Sequence, residues 1–221
     1  MATHSWESVD SYLNDVLIQQ DTALAEALYA SEAAQLPSIN VTPAQGKFLH
    51  LMAKAIGAQR VLEIGTLGGY SAIWLARALP RGGTMVTIEA EPRHAEIARA
   101  NIARAGLDHF VDLRIGRALD VLPEIEQQRL GPFDLTFIDA DKPNTPAYFA
   151  WALRLSRPGS VIIADNVVRD GAIADRSSRD ASVQGMQRLL ASIASEPRVS
   201  ATVIQTVGAK GYDGFAMAIV V

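Results

Sequence analysis

The stretch R-V-L-E-I-G-T-L-G-G-Y-S-A-I-W-L-A, from Arg60 to Ala76, reads as strand, tight loop and helix. Val61, Leu62 and Ile64 suit a strand buried on both faces, and helical spacing begins at Tyr70. Between them Gly65, Gly68 and Gly69 allow a turn closed to residues with side chains. Backbone this bare lets a ligand approach closely.

A dinucleotide is the first ligand to consider, because its pyrophosphate sits on the N-terminus of the helix after such a loop. The glycine order opposes it: Gly65 followed by Gly68 and Gly69 does not match G-x-G-x-x-G. Glu63 opposes it too. A carboxylate inside the apolar strand repels a pyrophosphate but suits a cationic amino group, which the methyl donor S-adenosylmethionine (SAM) carries.

The 221 residues, 49% of them hydrophobic, show no Pro/Ser-rich linker, so one domain over 1–221 is expected, with N-terminal helices over 1–57 and a sheet-based core over 58–221. Without cysteine there is neither a disulfide framework nor a thiolate metal site. The residues ahead of Trp6 carry no secretion pattern, so the cytoplasm is the expected compartment. Apolar runs are only strand-length and a net charge of -4 makes no basic face, which argues against membrane and nucleic acid. A small molecule is the expected partner.

Trp6, Val9, Leu13, Val16 and Leu17 recur at helical spacing, Ala23 to Ala34 is alanine-rich, and Pro43 to Ile56 opens on a proline suited to a first helical turn. The stripe on the first helix suits core packing first and a dimer contact second. His4, His50, His94 and His109 are isolated from one another and read as structural or surface residues.

Beyond the glycine loop, a helix from Tyr70 to Ala78 precedes a strand from Thr84 to Ile88 that ends in Glu89. Glu89 follows Gly65 by 24 residues (89 - 65), close to where doubly wound folds place the carboxylate that accepts both ribose hydroxyls; a solvated strand-end acid is the plainer reading. A helix from Pro92 to Ala105 and a strand from Phe110 to Ile115 follow, then the small turn Gly116-Arg117-Ala118, either an adenine floor or a simple loop. Phe133 to Ile138 ends in Asp139-Ala140-Asp141-Lys142, and Ser160 to Ala164 ends in Asp165-Asn166. Ligands of open parallel sheets bind outside the carboxyl ends of the strands, so these acids share one rim with the glycine loop. Met186 to Ala194 reads as a helix, and Val199 to Val207 with Phe215 to Val221 as an antiparallel hairpin joined through Gly208, Gly211 and Gly214.

Glu63-Ile64-Gly65, Gly68-Gly69-Tyr70-Ser71, Ile138-Asp139-Ala140-Asp141-Lys142 and Asp165-Asn166, in this order and spacing, resemble the cation-dependent O-methyltransferases, the caffeoyl-coenzyme A and catechol O-methyltransferases among them. The resemblance runs from about Val41 to the C-terminus. It implies an α/β, Rossmann-like doubly wound sheet of about seven strands, mostly parallel with an antiparallel C-terminal hairpin and helices on both faces. It also implies SAM as cofactor, with S-adenosylhomocysteine (SAH) as product, and a homodimer.

Residue by residue, the resemblance implies cofactor contacts at Val41, Glu63, Gly65, Thr66, Ser71, Glu89, Ala118, Asp141 and Tyr148. It implies metal ligands at Asp139, Asp165 and Asn166, a general base at Lys142, and a substrate contact at Asp170. Two carboxylates and an amide oxygen form a hard ligand set suited to Mg2+ first, or to Ca2+ or Mn2+. By the family mechanism a catechol's vicinal hydroxyls meet the ion, whose charge stabilises the phenolate, while Lys142, its pKa lowered by that charge, takes the proton. Against this stand strand-end solvation for Asp139 and Asp165 and a surface pair of Lys142 with Asp141. A metal-independent SAM methyltransferase acting on a non-catechol acceptor is the alternative, and it leaves Asp165-Asn166 without a role. Arg117, Pro143 and Pro146 depart from the family pattern and bear on substrate shape. Asn166 to Ser182, rich in Arg and Asp, reads as a loop near the metal that either favours a polar substrate or stays solvated.

Overall fold

Val61, Leu62 and Ile64 have no exposed surface, which is the burial expected of a strand covered on both faces. In the computed structural model, which describes residues 3–18 and 21–221, with side chains from Trp6 onward in the first helix, that strand is central. The N-terminal helices are α1 (Thr3–Leu17), α2 (Thr22–Ala33) and α3 (Pro43–Ala55). Then come β1 (Arg60–Ile64), α4 (Tyr70–Ala76), β2 (Thr84–Glu89), α5 (Pro92–Arg104), β3 (Val111–Ile115) and α6 (Ala118–Gln127). The chain continues through β4 (Leu135–Ile138), α7 (Thr145–Arg154), β5 (Val161–Ala164), α8 (Ala181–Ser195), β6 (Val199–Gly208) and β7 (Gly211–Val220).

The seven strands form one sheet in the order β3-β2-β1-β4-β5-β7-β6. β1 to β5 are parallel and β7 runs antiparallel to both β5 and β6, as expected from the short link between the last two strands. Alternation along each strand feeds two apolar layers. Val61, Met85, Leu135 and Phe137 pack with Leu49, Ile73 and Ile102 of α3, α4 and α5. Leu62, Ile64 and Ile88 pack on the other face with Leu122, Phe149 and Met186 of α6, α7 and α8.

Two helices escape the sequence reading. Pro123 lies inside α6 and argues locally against a helix, yet Val121, Leu122 and Ile125 bury one helical face, and that packing outweighs the missing N–H. Pro146 sits in the first turn of α7, where a proline is compatible with helix. The hairpin is also longer than expected. Pairing continues to Gly208 with Gly211, so the turn is only Ala209-Lys210 and Gly214 lies within β7.

The stripe on α1 is not core: Val9, Tyr12, Val16 and Leu17 are each more than half exposed. The helix perches on β6 and α3 instead of entering a layer. His50 is structural as expected, with Nδ1 3.1 Å from the Trp74 carbonyl oxygen. His109 lies against Phe110, and the side chain of His4 falls outside what is described. Among the described residues no helix is long and apolar enough to cross a membrane.

Gly65 has φ +100°, and a Cβ there would lie 2.1 Å from the Asp139 carbonyl oxygen. The glycine lets the ends of β1 and β4 approach each other as much as it admits a ligand. Gly65→Ala is expected to lower stability by about 2 kcal/mol or more, read as a fall in the urea midpoint of the ligand-free protein.

Candidate active site

Strand order reverses between β1 and β4, and the crevice of an open α/β sheet forms at such a reversal. Rim hydrogen bonds carry the parallel pairing past the last strand residues: Gly65 N donates to Ile88 O at 3.0 Å, Asp139 N to Ile64 O at 2.9 Å and Asp165 N to Ile138 O at 3.0 Å. Side chains following β1, β4 and β5 are thereby placed side by side. Above them opens a cavity of about 590 Å3.

Of the expected residues, Val41, Gly65, Thr66, Ser71, Glu89, Ala118, Asp139, Asp141, Lys142, Tyr148 and Asn166 line this cavity. Glu63, Asp165 and Asp170 do not line it. Asp165 is 5% exposed and lies below the wall. Asp170 is exposed, at φ 54°, in the 3-10 turn Arg169–Ala174 facing the hairpin, so the structure does not bring it into the cavity.

Glu63 points from β1 toward α4, on the same face as Val61, and has no exposed surface. Its Oε2 accepts from Thr87 Oγ1 at 2.6 Å, and Thr87 in turn meets Thr66 of the glycine loop, while Oε1 has no hydrogen-bond partner. Burial pushes this carboxyl up to about 8, with the Asp139 and Glu89 charges adding to the rise and the Ser71 and Thr87 hydroxyls opposing it. A donor or cation arriving from the cavity has a buried acceptor waiting for it.

Glu89, for which a ribose contact is expected, has a structural task of its own. Its Oε2 accepts from the backbone N–H of Thr66 at 3.2 Å and of Leu67 at 2.7 Å, and Oε1 accepts from Glu91 N at 2.9 Å. The acid therefore shapes the glycine loop, in which Leu67 sits at φ 50°. Asp141 is pinned between Tyr148, whose hydroxyl donates to Oδ1, and Asn144, whose amide donates to Oδ2 at 2.6 Å. Ala118 opens α6 directly after Gly116 and Arg117, so the small turn is a helix start at the cavity wall.

The acid pair has a different character. Ile138 pairs with Ala164, so Asp139 and Asp165, the next residues on adjacent parallel strands, stand together. Lys142 Nζ donates to Asp139 Oδ1 at 2.8 Å; the lysine thus pairs with Asp139 and not with Asp141. Asp165 accepts from Asn166 N at 2.9 Å, and burial with the Asp139 charge beside it raises its pKa well above the carboxylate range. Asn166 holds φ 56°, a conformation asparagine tolerates better than most residues. Among the described residues no group of three or more His, Cys, Asp or Glu is placed to hold a metal. The donor set available is two carboxylates and one amide oxygen, which suits a hard cation, and the like-charge strain at Asp165 is what such a cation relieves.

His94 and Arg169 line the cavity without having been read as site residues. His94 Nδ1 stands 3.7 Å from Glu89 Oε1, a proximity set by α5 folding back over β2. Arg169 belongs to a left-handed stretch after β5 with φ 55°, for which the sequence carries no local signal.

The family pattern described as O-methyltransferase matches residues 15–218. The chain belongs to the O-methyltransferase family. Within the family, it is similar to a catechol O-methyltransferase of Niastella koreensis, 50% identical over 220 residues covering 100% of each chain. The O-methyltransferase from Bacillus cereus, solved in complex with SAH, superposes with a TM-score of 0.98 at 58% identity, covering 99% of this chain and 100% of that one. The O-methyltransferase TomG from Streptomyces achromogenes, solved with SAM and involved in tomaymycin synthesis, gives 0.97 at 51% identity, covering 100% of this chain and 99% of that one.

In the ligand-free protein the folded form holds a proton on Glu63 that the unfolded chain, with its carboxyl near 4.5, has released. Stability should therefore fall as pH rises from about 4.5 to about 8 and level off above that. Glu63→Gln should flatten the part of the slope due to this group, seen as a smaller difference between urea midpoints at pH 5 and pH 8 than in the unmodified chain.

Proposed function

We propose that this O-methyltransferase moves a methyl group from SAM to one hydroxyl of a catechol-type aromatic diol, with a divalent cation, Mg2+ first, at Asp139, Asp165 and Asn166. The observation that carries the reading is the side-by-side acid pair with Lys142 fixed on one of its members, against the cavity that Asp139, Lys142 and the glycine loop line together. SAM and SAH in the related solved structures support the cofactor, and the catechol O-methyltransferase of N. koreensis supports the acceptor.

The orphaned Glu63 Oε1 below the loop fits the cationic amino end of SAM, with Ser71 and the Val41 region forming the wall around it. Glu89 holds the loop and retains lone pairs for ribose hydroxyls. Gly116, Ala118 and Tyr148 offer small or flat surface for adenine. When bound, the cation supplies positive charge that stabilises a phenolate. Lys142 Nζ, as the neutral amine oriented by Asp139, receives the proton of the acceptor hydroxyl, and the phenolate oxygen then attacks the sulfonium methyl carbon in line, the O–C bond forming as the C–S bond breaks and SAH leaves. Transfer cancels opposite charges, so alignment dominates, with effective molarities on the order of 10^5 M available to well-placed reactants. The exposed apolar face of α1 supports the homodimer that the resemblance implies.

Methyl transfer from SAM to 3,4-dihydroxylated aromatics should proceed with Mg2+ and stop with excess chelator; cofactor binding without product would redirect the acceptor away from vicinal diols. Lys142→Ala should lower kcat by on the order of 10^2-fold or more while leaving SAH affinity nearly unchanged. Equal loss of both would remove Lys142 as the base. Asp165→Ala should abolish chelator-sensitive turnover, and normal methylation by that variant in chelator would remove Asp165 as a ligand.

A further inference from the structure

β6 and β7 each run for ten residues, while β5, the strand that β7 pairs with, has four. Ala164, the last residue of β5, pairs with Ala216. Gly211 to Phe215 and their β6 partners therefore stand beyond the rim, on the side where the cavity opens. At their tip is the turn Ala209-Lys210.

Two carboxylates fix this overhang. Asp10 of α1 accepts from Ala209 N at 2.8 Å. Asp213 Oδ1 accepts from Val168 N at 3.0 Å, Arg169 N at 2.9 Å and Gly214 N at 2.9 Å, which ties the hairpin to the segment leaving β5. Hairpin tip and post-β5 turn are held as one unit over the acid pair.

That unit carries two cations. Lys210 sits on an exposed turn, but its ammonium end is partly desolvated and feels both the Asp139 and the Asp165 charge. Arg169 lines the cavity itself. Among the described residues neither is in an ion pair with a carboxylate, whereas Lys142 already occupies Asp139. The pair is thus not used up in neutralising the site. Cations that the fold holds beside a cavity, outside any carboxylate ion pair, favour an anion there.

We propose that Lys210 and Arg169 select the acceptor by holding a carboxylate on an aromatic diol whose hydroxyls meet the Asp139–Asp165 end of the cavity. This rests on the catechol reading of the site. An acidic diol places negative charge between the two cations, while a catechol amine brings an ammonium toward both and is rejected by like charge. Arg169 and Lys210 are positioning residues, since neither touches the reacting oxygen. The clamps through Asp10 and Asp213 engage backbone N–H groups, so replacing either cationic side chain leaves them in place.

The test compares 3,4-dihydroxybenzoate with its neutral analogue 3,4-dihydroxybenzyl alcohol, at saturating SAM and Mg2+, in the unmodified protein, Lys210→Met and Arg169→Met. Each substitution should raise the ratio of the benzoate KM to the alcohol KM by about tenfold with kcat for the benzoate little changed. Calorimetry should show the same loss for 3,4-dihydroxybenzoate binding to the SAH complex. Lys210→Glu should turn preference toward a catechol amine. An unmoved KM ratio, or an unmodified protein that favours the neutral alcohol, overturns the selection while leaving the reaction intact. If neither diol is methylated, it is the catechol reading that has failed.

Discussion

Negative charge crowded at one end of a parallel sheet is the constraint on which the rest of this structure depends. Glu63, Glu89, Asp139 and Asp165 all stand at or just under the carboxyl rim, three of them less than a tenth exposed. Each is managed differently. Glu89 is surrounded by three backbone N–H groups, Asp139 by Lys142, and Asp165 by a single backbone donor. Glu63 has one hydroxyl on one oxygen and none on the other, and it answers by holding its proton. A protein selected only for stability has little reason to bury these groups together.

On the proposed reading, cations from ligands would resolve that crowding. The amino group and sulfonium of a methyl donor would offset Glu63 and its neighbours below the glycine loop, and a divalent ion would offset Asp139 and Asp165 beside it. Ligand binding and relief of charge strain become one event, so the site should tighten when filled. Backbone strain is concentrated in the same places: Leu67 in the loop and Asn166, Arg169 and Asp170 after β5 all have positive φ. Such conformations persist only where surrounding structure holds them, here through Glu89 on one side and Asp213 on the other.

Much of the site was legible because its signals are local. Apolar runs ending in acids identify strand ends, and the rule that ligands sit at the carboxyl edge turns a list of separated residues into one site. Val41 and Tyr148 came from resemblance alone, and the cavity reaches both. What the local signals missed has a physical cause in each case. α6 and α7 hide behind prolines that tertiary packing tolerates. His94 and Arg169 reach the cavity through folding of distant segments, and the exposed stripe on α1 shows that helical periodicity reports a face without saying what covers it.

The order of glycines, strand-end acids and lysine already determined a doubly wound methyltransferase sheet and its ligand rim, because strand periodicity and chain connectivity are encoded over short stretches. Which acids face the cavity, which lie beneath it and which cations lean over them was decided only by the tertiary structure. Asp165 lies under the wall and Asp170 turns away from it, although the two are only five positions apart (170 - 165), because the chain between them passes through two left-handed residues, Asn166 and Arg169, and Asp170 is itself left-handed. Lys210 comes to act on Asp139 and Asp165 from the far end of the sequence because a long hairpin paired to a short strand must overhang the rim. Side-chain direction and the reach of distant segments follow from packing between elements, and no local spacing records them.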